Sequence, residues 1–153
     1  MTPREFVDQE LSLVAATFAI AKVIRPMVVL VKDGERYAVP AMFQNAAHKE
    51  IVAQGIKDLV RTSRPDVVVY MAEARMKVVQ SLISELPTSI SQYDDAAIEV
   101  VSVVIEFKTG EKFDCDAKIT RTLGIPRLEK FKVSDGKFTA GRFADFFPVG
   151  RLN

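Results

Sequence analysis

The chain has 153 residues, of which 48% are hydrophobic and 27% are charged, and its formal net charge is +1. These values are typical of one globular domain and exclude an intrinsically disordered chain, which is too polar to form a hydrophobic core. Its one cysteine, Cys115, excludes an intramolecular disulfide and a cysteine-rich zinc site. No apolar run approaches the roughly 18 residues of a membrane span. We therefore predict a single cytoplasmic domain over residues 1–153 with no membrane partner.

The first element is predicted to be an amphipathic helix. Thr2-Pro3-Arg4-Glu5 fits a capping box, with Thr2 as the N-cap and Pro3 at the first helical position. Arg25-Pro26 ends the helix. Its apolar stripe comprises Val7, Leu11, Val14, Phe18 and Ala21, and its polar face carries Asp8, Glu10 and Lys22.

A hairpin and a second helix are predicted next. Asp33-Gly34 favours a type I′ turn between strands at about 27–32 and 35–39, and Pro40 suggests that the second strand lies at a sheet edge. Asn45 is the expected cap of a helix over about 46–62. A continuous apolar run over 66–72 then predicts a buried strand, and a strand, a helix and a parallel strand together follow βαβ logic.

The second half of the chain alternates a helix with more strands. Residues 73–86 have helical spacing, residues 98–107 read as a buried strand, and residues 112–120 alternate apolar with polar side chains. Phe131 and Val133 suggest one further strand. We predict an α+β fold with the order α-β-β-α-β-α-β-β. About five strands form a mixed sheet flanked by helices, and an irregular aromatic segment follows over about 136–153.

The only histidine lies in the sequence His48-Lys49-Glu50, at the predicted start of the second helix. This H-x-E motif, together with the order of elements, resembles the zinc-dependent cytidine deaminases. In that family the histidine binds zinc and the glutamate shuttles protons, so the resemblance makes His48 and Glu50 candidate site residues without assigning them these roles. The family also requires two cysteines after the following strand, where this chain has Glu73-Ala74-Arg75-Met76. The alternative interpretation is that His48 packs under the helix start and that Glu50 is a solvated first-turn acid.

Two further groups of polar residues are candidate sites. Glu73 and Arg75 follow the buried strand, at the kind of sheet edge where α/β proteins bind ligands. Asp114 and Asp116 share one face of a strand and could bind a hard cation such as Mg²⁺. The competing interpretations are a helix-start acid beside a surface base, and ordinary strand alternation that keeps one face wet. We predict no cofactor.

The aromatic segment carries the leading functional hypothesis. It contains Phe138, Phe143, Phe146 and Phe147, which would form an unusually large apolar patch if they were exposed. Because no complete catalytic motif is found, we expect a non-enzymatic interaction module that forms a homo-oligomer through these rings. The first alternative is a small-molecule binder or enzyme that uses Glu73, Arg75 and His48. The second is weak nucleic-acid binding through the basic C-terminal region.

Overall fold

The computed structural model describes residues 1–76, 98–135 and 146–147. Two helices and seven strands lie in these ranges: α1 Pro3–Ala21, β1 Met27–Lys32, β2 Glu35–Pro40, α2 Ala46–Ser63, β3 Val67–Met76, β4 Ile98–Phe107, β5 Lys112–Thr122, β6 Ile125–Leu128 and β7 Lys132–Asp135. The predicted α+β class is confirmed, and so is the predicted order of the elements that lie in these ranges. Neither described helix is long and apolar enough to cross a membrane.

The strands form one sheet in the order β2-β1-β3-β4-β5-β6, and β7 pairs with the first part of β5. Every pairing is antiparallel, so the sheet is not mixed, contrary to expectation. It also contains seven strands instead of about five. β2 and β3, which flank α2, do run in the same direction, but β1 lies between them. The reason is that the Asp33-Gly34 turn pairs β1 with β2 and leaves the other edge of β1 for β3.

The predicted local signals at the helix starts and the hairpin are confirmed. The Thr2 hydroxyl accepts a hydrogen bond from the Glu5 N–H at 3.1 Å, and the Asn45 side chain accepts one from the His48 N–H at 2.8 Å. Asp33 and Gly34 have φ values of 51° and 81°, as a type I′ turn requires. These features depend on neighbours in sequence, which is why the sequence alone predicts them.

Each face of the sheet is covered by one helix. Alternate residues of β1 and β3 contribute to opposite cores, because successive side chains of a strand point to opposite faces. The α1-side core comprises Val7, Leu11, Val14, Phe18, Ile24, Val29, Val31, Val67, Val69, Met71, Val101, Val103, Ile105, Cys115 and Ile119. The α2-side core comprises Val28, Leu30, Ala41, Ala53, Ile56, Val60, Val68 and Phe146.

Two expectations about the strands need correction. Residues 73–76, which were expected to begin a helix, continue β3 and pair with the start of β4 as far as Met76 opposite Ile98. The remainder of that predicted helix lies outside the described residues. β6 was not predicted, because Pro126 argues against a strand and because leucine, at position 123, is not a residue typical of the turn that precedes β6.

Candidate functional site

The outer edge of β2 is open in the part of the chain that the structure describes, where β1 is its only partner. Val39 is half-buried, and the other five residues of β2 are exposed. A free strand edge presents unpaired backbone N–H and C=O groups that can pair with another strand. This edge is therefore a candidate interaction site.

The register of the β1–β2 ladder shows which backbone groups point outward. The Ala41 N–H donates to the Pro26 carbonyl at 3.1 Å, one position beyond the last pair of the β1–β2 ladder. Since hydrogen-bonded and non-bonded pairs alternate in an antiparallel ladder, the backbone groups of Arg36 and Ala38 point away from β1. Pro40 faces outward too, but it has no N–H. The open edge therefore offers two donors, at Arg36 and Ala38.

Arg36 is anchored to α1 by an ion pair. Its guanidinium contacts both carboxylate oxygens of Glu10, with Nη2 donating to Oε2 at 3.0 Å. The Glu10 side chain is only 2% exposed, so its predicted place on the polar face of α1 is wrong. Its partner lies on another element, which helical patterning cannot show. One signal was available, because Glu10 stands three residues after Val7 and four before Val14, within the apolar stripe.

An apolar cleft separates α1 from the β1–β2 hairpin beside this ion pair. It has a volume of about 230 Å³, and Leu13 and Thr17 line it together with Ala38. Leu13 is 52% exposed, and Ile20, which is seven residues further along α1 and on the same flank, is 86% exposed. The flank of α1 that faces the open edge thus carries uncovered apolar side chains.

Tyr37 occupies the opposite face of the edge strand. Its ring is 54% exposed, and its hydroxyl donates a hydrogen bond to the Glu35 carboxylate. That bond and the carboxylate charge raise the pKa of the Tyr37 hydroxyl. Sequence reasoning identified β2 as an edge strand but did not single out Arg36, Tyr37 or Ala38. The hairpin turn together with Pro40 was the signal that could have found them.

The structure does not bring the predicted His48 and Glu73 together. The His48 ring takes part in the start of α2, where its Nδ1 accepts the Gln44 N–H at 3.1 Å. The Glu73 carboxylate lies on the α1 side of the sheet and accepts the Ile24 N–H at 2.7 Å. Glu50 is exposed near His48 on α2, and the side chain of Arg75 lies outside the described residues.

Asp114 and Asp116 do share one face of β5, as predicted. Burial raises the pKa of Asp116, and the neighbouring Asp114 charge raises it further, while a hydrogen bond with Ser102 opposes the shift. Among the described residues, no three His, Cys, Asp or Glu side chains are grouped as a metal would require. The pair by itself therefore defines no metal site.

The aromatic segment is described only at Phe146 and Phe147. Phe146 is 3% exposed and belongs to the α2-side core, and Phe147 packs partly buried against the same core. The Phe146 N–H also donates to the buried Glu106 carboxylate at 2.9 Å. Phe146 is therefore engaged within its own chain. Phe138 and Phe143 lie outside the described residues.

Comparison of the chain with known protein families, with curated proteins and with solved structures gave no match in any of the three. A functional proposal therefore depends on the geometry of the edge and of its neighbours.

Proposed function

We propose that the protein is a non-enzymatic interaction module that self-associates by pairing β2 of one copy with β2 of a second copy. The observation that supports this proposal is the open β2 edge, with two outward-facing N–H donors on an exposed strand. A contact between identical edges is isologous, so both copies use the same residues. Such pairing covers the β2 edge of each copy and continues the sheet across the dimer.

One register of this pairing satisfies the outward groups best. When Arg36 pairs with Ala38 of the second copy, four backbone hydrogen bonds form and Tyr37 lies opposite its own symmetry mate. The register that pairs Arg36 with itself sets Ala38 against Gly34, which lies in the turn outside β2, so fewer hydrogen bonds form. The register that pairs Ala38 with itself sets Arg36 against Pro40, which has no N–H to donate. We therefore expect Tyr37 to lie on the two-fold axis.

The α1 flank extends the contact beyond the strand. Antiparallel pairing in a continuous sheet requires a two-fold axis perpendicular to the sheet, so both copies of α1 lie on the same side. Leu13 and Ile20, exposed on the flank that faces β2, then face the second copy. Their burial would help the interface to reach the roughly 1,000 Å² that a specific contact needs.

We also propose a cytoplasmic location. Cys115 is free and buried on the α1 side of the sheet. A free thiol without a disulfide partner is compatible with a reducing compartment.

Sedimentation equilibrium of the full chain tests the self-association. We expect a dimer at tens of micromolar, which Ala38→Pro weakens because proline removes an outward donor and leaves the β1–β2 bonds intact. Ala38→Ser keeps the N–H and is the matched control. A parent chain that stays monomeric, or an Ala38→Pro dimer as stable as that of Ala38→Ser, would refute the proposal.

Cysteine cross-linking tests the register. In the proposed pairing the Tyr37 Cα atoms are about 4.5 Å apart, which lies within disulfide range, whereas the Glu35 residues of the two copies are four positions out of register. We expect Tyr37→Cys to form a covalent dimer under mild oxidation and Glu35→Cys, on the same face of the strand, not to do so. Equal cross-linking at both positions would contradict the register. The native Cys115 is buried and does not interfere.

A further inference from the structure

The β5–β6 hairpin ends in a leucine that is both exposed and unfavourable for the backbone. Thr122 pairs with Ile125 across a two-residue turn, Leu123-Gly124, whose φ values are 53° and 80°. The Leu123 side chain is 97% exposed. A leucine in the left-handed region is strained and has no polar group to make a local hydrogen bond. Because the Leu123 side chain is exposed, no burial of apolar surface offsets this backbone strain.

The same chain has a favourable residue at the equivalent position of the β1–β2 hairpin turn. There the equivalent position is Asp33, with a φ of 51°, and aspartate is one of the residues that this turn type prefers. The Asp33 N–H also donates to the Asp66 carboxylate at 3.0 Å. Leu123 thus departs from a local rule that the protein follows elsewhere, with no compensating contact among the described residues. Such departures mark functional positions more often than ordinary ones.

Cations stand behind this apolar tip. Residues 118–128 contain three exposed cations, Lys118, Arg121 and Arg127, and the nearest carboxylate along the hairpin is Glu129, opposite Lys118 at its far end. Arg121 contacts Glu99 on β4 at 3.0 Å, which leaves Lys118 and Arg127 without a partner among the described residues. Ile125, beside the turn, is 51% exposed. The hairpin therefore presents apolar side chains first and positive charges second.

We propose that the tip of the β5–β6 hairpin binds an anionic lipid surface. Leu123 and Ile125 enter the boundary between headgroups and acyl chains, and the cations behind them contact lipid phosphates. A nucleic acid also offers phosphates, but there the Leu123 side chain could be buried from water only by inserting between two stacked bases and separating them. A lipid surface accepts the leucine without that cost. This contact needs no membrane-spanning segment and is independent of β2 pairing.

Vesicle flotation with the full-length protein tests the proposal. We expect the parent to bind phosphatidylserine-containing vesicles and to bind phosphatidylcholine vesicles much less. Leu123→Asn should lower the partition coefficient at least about tenfold, the order expected for losing one buried leucine. The same substitution should keep or raise the thermal midpoint, because asparagine tolerates the left-handed conformation. A loss of folding therefore cannot explain the loss of binding.

Two controls sharpen the outcome. Ile51→Asn removes an apolar side chain that is 71% exposed on α2, and it should leave vesicle binding unchanged. The double change Lys118→Gln and Arg127→Gln should weaken binding and reduce its dependence on salt. The lipid assignment is overturned if the parent does not bind anionic vesicles, if Leu123→Asn binds as well as the parent, or if the tip binds duplex DNA instead.

Discussion

The Glu10–Arg36 ion pair provides the most direct test of how β2 is held against α1. Arg36→Ala leaves the Glu10 carboxylate, 2% exposed, without its counter-ion. Removing one partner of a fully buried pair costs about 3–5 kcal/mol. The Arg36 side chain is 39% exposed and lines an open cleft, so water can reach the carboxylate and reduce that cost. We expect a loss of about 2–3 kcal/mol in the free energy of unfolding.

A double-mutant cycle separates the ion pair from packing. Glu10→Leu with Arg36→Ala should be within about 1 kcal/mol of the parent, because no buried charge is left unpaired. Urea unfolding followed by circular dichroism measures these values, in an Ala38→Pro background so that dimerisation does not contribute. A deficit no larger than about 0.5 kcal/mol, or a double variant as unstable as Arg36→Ala, would refute the reasoning.

Four further predictions follow from single contacts. Asn45→Ala should cost about 1 kcal/mol in urea unfolding, because it removes the N-cap of α2. The hydrogen bond from Lys108 lowers the pKa of Asp66. Asp66 therefore stabilises the fold above its unfolded pKa of about 3.9 and loses this contribution as the pH falls through its folded pKa. Asp66→Asn should lower the free energy of unfolding by under about 1 kcal/mol at neutral pH and match the parent in acid. Burial raises the pKa of the Cys115 thiol to about 12, so iodoacetamide should modify the folded chain at least about a hundredfold more slowly than the urea-unfolded chain. Phe146→Ala should cost about 3–5 kcal/mol and leave dimerisation intact, as measured by unfolding and sedimentation.

The features of the fold that the sequence predicts are those determined by interactions between residues close together in the chain. The caps at Thr2 and Asn45 and the turn at Asp33-Gly34 depend on short-range hydrogen bonds and on φ preferences. The number and direction of the sheet neighbours depend on pairing between distant strands. The extension of β3 to Met76 is an example, because its last residues are held by β4, some twenty positions later. Local helical spacing therefore misassigned residues 73–76.

The candidate site shows the same division. Sequence predicted that β2 lies at an edge, since Pro40 is tolerated there. It missed the Glu10–Arg36 pair, whose members are 26 residues apart. It also drew attention to His48, whose side chain serves the start of α2. Motif spacing identifies a residue type in a suitable place, but only the folded chain shows whether its partners are present.

The composition of the β2 edge favours a closed dimer over open-ended aggregation. Natural edge strands are commonly protected by lysine, proline or a bulge, and β2 has Pro40 only at its end, so Arg36 and Ala38 stay open. Proline also removes the donor that a register shifted in one direction would need, while a shift in the other direction sets Ala38 against Gly34 in the turn. The remaining register joins two identical edges and leaves neither available for a third copy. Pro40 therefore restricts the register of the contact between copies, and it also marks the end of β2.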